Sequence, residues 1–183
     1  AYIKEVIMGF GTTESLSEIQ NNDIGFTIGI AFAILNTVGF ILPALVLEPI
    51  TEKIGRVKTH TVCIAIMAIG YLMVIFMGQS TMSLYLLMAV IGIGWAAVVS
   101  LPFAIMSETV NQSKMGWFMG LFNLSVVLPQ LVASKLGGFI DGQEDKTVIF
   151  TISAIALGIS AVLWLFVKED QKTKSVLNTA SSN

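Results

Sequence analysis

Long apolar runs separated by short charged clusters set the pattern of this chain. Residues 24–47, 61–77, 84–107, 115–134 and 147–167 contain no Asp, Glu, Lys or Arg. Each run is within or near the roughly 17–25 residues that a helix needs to cross the hydrocarbon of a bilayer. Unbroken runs are the opposite of the alternating pattern of a membrane β-barrel, so the expectation is an all-α membrane protein with five transmembrane helices. Gly and Pro inside the first and third runs do not disturb it, because neighbouring helices can re-satisfy the backbone in lipid.

Within the runs, small residues recur at helical spacing. Gly92, Ala96, Ser100 and Ala104 fall every fourth position, as do Gly25, Gly29 and Ala33, while Gly116 and Gly120 form a GxxxG. Stripes of this kind let helix backbones approach closely where lipid supplies no hydrophobic drive for association. Pro43, Pro102 and Pro129 each remove a backbone donor and predict local kinks or openings.

Composition and charge add class and orientation. The chain is 55% hydrophobic and only 12% charged, with a mean hydropathy of +0.82, far from a soluble domain of this length. With five spans the ends lie on opposite sides. One side receives Lys53, Arg56, Lys58, Lys114, Lys168, Lys172 and Lys174; the other receives Lys4, Lys135 and Lys146. The basic excess predicts that the first side is cytoplasmic, with the N-terminus outside; the expected location is the plasma (inner) membrane. Trp164 then suits an aromatic anchor at the inner interface. Residues 1–23 read as an external segment emerging from a preceding helix, 24–167 as the transmembrane bundle and 168–183 as a cytoplasmic tail. The odd helix count and the absence of a starting Met predict a preceding N-terminal half. Cys63 reads as a small buried residue.

The polar residues inside the apolar runs are the candidates for chemistry. Asn123 and Gln130 are seven apart and share a helix face, with Ser134 one turn further. Asn36, Trp95, Ser100 and Ser107 add amide, indole and hydroxyl groups from two other helices. Such a lining suits a neutral polyhydroxylated ligand; the same groups can instead serve as hydrogen bonds between helices. Proton coupling needs a titratable group in the membrane, and the charge-free runs offer no carboxylate; His60, beside the basic loop, reads as a solvated imidazole. No metal-ligand cluster, phosphate loop, nucleophile with a partner or basic nucleic-acid face is visible, so neither an enzyme, a cofactor, a metal nor nucleic acid is expected.

The link Glu48-Pro-Ile-Thr-Glu-Lys-Ile-Gly-Arg-Val-Lys58 resembles the signature loop of the major facilitator superfamily, Gly-x-x-x-Asp-Arg/Lys-x-Gly-Arg/Lys-Arg/Lys, in its weaker copy between helices eight and nine. Lys53, Gly55 and Arg56 match it; Glu52 replaces Asp, Glu48 stands at the first Gly and Val57 replaces a base. Phe32 to Asn36, the run from Gly94 to Ser107 with Pro102-Phe103-Ala104, and the run through Lys114, Gly116, Asn123 and Pro129-Gln130 resemble helices eight, ten and eleven of the sucrose- and maltose-type proton symporters of that superfamily. The resemblance implies helices eight to twelve of a twelve-helix fold. It further implies proton-linked uptake of a disaccharide, with sugar and proton as partners beside the lipid bilayer and the missing N-terminal half. Glu52, Arg56 and Glu108 would form a cytoplasmic gating cluster. An exporter of another small molecule and a non-transporting scaffold or sensor are the alternative readings.

Orientation is testable by single cysteines. Gly11→Cys should label from outside sealed cells and Ser175→Cys only from inside; labelling of both from one side would refute the span count.

Overall fold

The computed structural model describes residues 1–11 and 13–168, so the expected tail beyond residue 168 lies outside the described residues. Its elements are helical throughout: α1 (Glu18–Leu42), α2 (Glu48–Ile54), α3 (Arg56–Met77), α4 (Thr81–Thr109), α5 (Met115–Asp141) and α6 (Val148–Trp164), with single π-turns at Ile3–Ile7 and Pro43–Leu47 and a 3₁₀ turn at Gln112–Lys114. Four helical stretches are long and apolar enough to cross a bilayer. The fifth expected span, α6, has 17 residues, at the lower limit for crossing.

Except for α6, the helices outrun the charge-free runs, because charge marks where lipid ends and caps mark where a helix ends. α1 begins six residues before its apolar run, where Ser17 and Gln20 form a capping box. Ser80 and Ser83 start α4 in the same way. Pro43 closes the regular part of α1 and opens the π-turn, which carries the chain without interruption into α2. Pro102 and Pro129 lie inside continuous helices. Gly55 ends α2 and starts α3 at φ +93°, a backbone region that disfavours any residue with a Cβ. Before α6, the backbone amide and hydroxyl of Thr147 donate to Asp145 Oδ1 at 2.8 and 2.7 Å. The hydroxyl donation is the main reason that the Asp145 carboxyl is held below its usual range, and the backbone donation adds to it.

α3 and α4 form the principal pair; α1 packs on α4 and α6 on α3. Small residues of α4 make this possible. A Cβ on Gly94 would collide with Met67 Cβ and lie 2.8 Å from the Cys63 carbonyl, and one on Gly92 would lie 2.8 Å from Val38 Cβ. Ala96 and Ala97 are fully buried between the same helices. The other stripes are uncovered: Gly25, Gly29, Gly116 and Gly120 have nothing within 4 Å of a built Cβ. α5 stands apart, with none of its most apolar stretch buried, and meets α4 edge-on through Phe122 and Phe103, ring centroids 6.0 Å apart.

The first ten residues hold the end opposite the Gly55 turn. Tyr2 is buried, and its hydroxyl lies 3.0 and 3.2 Å from the carbonyls of Gly78 and Val74 at the end of α3; the Val74 carbonyl also accepts from the backbone N–H of Gly78. Its ring meets Phe150 of α6 edge-on at 4.8 Å, and Glu5 lies 3.8 Å from Lys146 Nζ.

Gly94→Leu should destabilise the chain by about 1–3 kcal/mol or more, since the new side chain must displace α3, whereas Gly120→Ala should be neutral or gain up to about 1 kcal/mol of helix propensity. Unfolding in mixed micelles under increasing denaturing detergent reads both; equal effects would contradict the packing described.

Candidate functional site

Polar groups gather at two places, one at each end of the bundle. At the Gly55 end, α3 begins with Arg56 and α4 finishes with Glu108, which brings Nη2 and Oε1 to 2.6 Å. Both side chains are partly exposed, at 27% and 36%, and a pair so placed contributes on the order of 0.2–1 kcal/mol. Glu52 and Lys53 on α2 are exposed, and among the described residues Glu52 takes part in no ion pair. The contact the structure makes is therefore a bridge between α3 and α4 rather than the three-membered cluster of the sequence reading.

One turn further into α3, His60 departs from expectation. A solvated imidazole was the reading, but the side chain is only 3% exposed. α3 starts at Arg56, four residues before His60, and the next turn already faces α4 and α6. Nδ1 lies 3.3 Å from the Ala97 carbonyl of α4, and the ring packs edge-on against Trp164 of α6 at a centroid distance of 4.4 Å. Trp164, expected at the interface, thus also covers a buried imidazole. Cys63, one turn on, is buried as expected.

The five residues singled out for a ligand do not line one cavity. Asn36 donates to Phe32 O at 2.8 Å and Ser100 to Ala96 O at 2.7 Å, so each is satisfied within its own helix. Trp95 packs against α1, where a Cβ on Gly39 would come within 2.7 Å of Cδ1. Ser107 likewise donates to its own helix, at Ala104 O. Asn123 and Gln130 differ: both are exposed on α5, and among the described residues neither has a hydrogen-bond partner. The interhelical bond that would occupy an amide in lipid is not made within the described helices.

A cleft lies at the opposite end, between α1, α3, α4, α5 and α6, with a volume of about 450 Å³. Aromatic and aliphatic faces from Phe32, Tyr71 and Phe150 dominate it; Tyr2, Lys146 and Ser153 bring polar atoms to its wall. Residues 1–4 form part of that wall. Sequence reasoning missed this cleft, since its residues are spread over the whole chain and none breaks the apolar pattern by charge except the two lysines at its rim. Among the described residues no group of acidic, His or Cys side chains is placed to hold a metal ion.

Comparison with known proteins places these features. Residues 7–182 match the family described as Major Facilitator Superfamily. The chain is 36% identical over 99 residues to the sucrose transport protein SUT5 of Oryza sativa subsp. indica, an alignment covering 50% of this chain and 18% of that protein. It is 26% identical over 185 residues to the sucrose transport protein SUC3 of Arabidopsis thaliana, covering 87% of this chain and 31% of that protein. The chain thus spans less than a third of the length of these relatives. No solved structure matches it. A family match over nearly the whole chain, a helical architecture among the described residues and helices of membrane-crossing length and apolarity agree: this chain is a multi-pass membrane protein that belongs to the Major Facilitator Superfamily.

Proposed function

We propose that the chain is the second helical half of a sugar transporter that works by alternating access and takes up a disaccharide such as sucrose or maltose together with protons. The observation that carries this reading is the pair Asn123 and Gln130. Two amides sit on an uncovered helix without partners among the described residues, in a chain similar to proteins named for sucrose transport. An amide left unpaired in hydrocarbon costs on the order of several kcal/mol, so a face of this kind belongs against water, a polar ligand or another helical half. A sugar satisfies amides with its hydroxyls and covers apolar wall with its ring faces. The midplane interface between two halves, where secondary transporters bind their cargo, is the position that this face would take.

In this reading the Gly55 end is cytoplasmic and the membrane is the plasma membrane, following the excess of Lys and Arg on that side. The cleft around Tyr71 and Phe150 is then the outer approach, and the carboxylate that carries the coupled proton belongs to the other half. Arg56 and Glu108 bridge α3 and α4 at the inner end. A contact worth under about 1 kcal/mol does little for the fold, yet it moves a finely balanced conformational equilibrium several-fold.

In the full transporter, Asn123→Ala or Gln130→Leu should lower sugar uptake several-fold at normal membrane abundance, the loss of a hydrogen bond of about 1 kcal/mol or more. Unchanged kinetics in both would return these amides to packing. Arg56→Glu should impair transport without loss of expression, and Glu108→Arg added to it should restore part of the rate; a double variant no better than the worse single one would remove the bridge from the mechanism.

A further inference from the structure

The His60 junction has no part in the reading above, although it holds the chain's only histidine. We propose that His60 is a protonation site: neutral, it fastens α3 to α4 and α6 at the Gly55 end, and on taking up a proton it loosens that junction.

The geometry fixes the proton's position. A backbone carbonyl can only accept, so the 3.3 Å contact with Ala97 O requires the hydrogen on Nδ1. Nε2 then carries the lone pair, and among the described residues it has no hydrogen-bond partner. A proton arriving from solvent adds there, giving an imidazolium with both nitrogens as donors and one positive charge; no bond other than the new N–H is made. In the closed junction that new donor has no described acceptor, and the ring is 3% exposed.

The surrounding charges act in the same direction. On α3 itself, Arg56 precedes His60 by four residues, the spacing of direct neighbours on a helix face, and like charges so placed repel; Lys58 is exposed nearby. α4 brings Glu108, already engaged with Arg56. α6 contains no titratable side chain, and Lys168 follows Trp164 by four positions. α2 brings Glu48, Glu52 and Lys53, all exposed. Lys53, Arg56, Lys58, Lys168 and an imidazolium together outnumber the carboxylates of Glu48, Glu52 and Glu108, so an opened junction that admits water accommodates the proton better than the closed one. Proton uptake and opening are linked for that reason. The T-shaped contact with Trp164 makes α6 part of the same event.

The chain supplies its own reporters, since His60 and Cys63 are its only histidine and cysteine and stand one turn apart. The whole chain in lipid nanodiscs, labelled with ¹⁵N in histidine, should show a single imidazole in the Nδ1–H form at high pH, converting to imidazolium as the pH is lowered. Over the same range, the rate at which a soluble maleimide labels Cys63, divided by the rate for His60→Gln at the same pH, should rise about tenfold, a shift of about 1.4 kcal/mol in the opening equilibrium. Dividing by the variant cancels the pH dependence of the thiol itself; His60→Asn replaces it if His60→Gln fails to insert. A ring that stays neutral throughout overturns the proposal, and so does a ring that titrates while the labelling ratio stays flat. No cargo is present, so the result is independent of the sugar reading.

Discussion

The backbone of α4 can come within contact of two other helices only because Gly92, Gly94, Ala96 and Ala97 stand where larger side chains would be, and the packed part of this chain depends on that approach. Lipid tails solvate Leu and Ile as well as a neighbouring helix does, so dispersion contacts between closely spaced surfaces carry the association. Gly70 of α3, against Ile91 of α4, repeats the device from the facing helix. The outcome is a block of α1, α3, α4 and α6 with two clusters of buried side chains, one around Val74, Leu84 and Ile91 and one around Cys63, Ala97 and Leu101.

Against that block, α5 is a different kind of element. Its stripe at Gly116 and Gly120 and its amides have no partner among the described helices, although Gly92 and Gly94 of α4 are buried. The difference divides the polar residues by role. Ser100, Ser107 and Asn36 return their hydrogen bonds to their own helices and so cost the membrane little, while Asn123 and Gln130 hold theirs open toward whatever the uncovered face meets. Each end of the block has its own fastening: Tyr2 across the last carbonyls of α3 at one end, and Arg56 with His60 across to α4 at the other.

Much of this was legible in the sequence, for reasons that also explain what was not. Absence of charge over some twenty residues is a physical requirement for crossing lipid, so the helices could be read directly, and Gly55 was legible because a turn between helices calls for positive φ. The meeting of Arg56 and Glu108 follows from two helices that end on the same side. His60 was misread because proximity to charge resembles exposure along the chain; a helix that starts four residues earlier turns that position inward. The cleft draws its walls from residues 1 to 153, and no local pattern encodes such a gathering. The scatter of Asn36, Trp95, Ser100, Asn123 and Gln130 has a related cause: hydrophobic period assigns residues to faces, but it does not say which face meets which neighbour.

The unbroken helical path from Glu18 through the π-turn to Ile54 runs for 37 residues. At 1.5 Å per residue that is roughly 55 Å of rod, against a hydrocarbon layer of about 30 Å. Such a rod must tilt or project from the bilayer, and it carries its Pro49, Glu52 and Lys53 end as an arm attached to α3 through the single residue Gly55. A tilt of only about 10° over that length sweeps the arm's tip by roughly 10 Å. A change of tilt would therefore displace the Gly55 end far more than it would displace the side chains deep in the bundle.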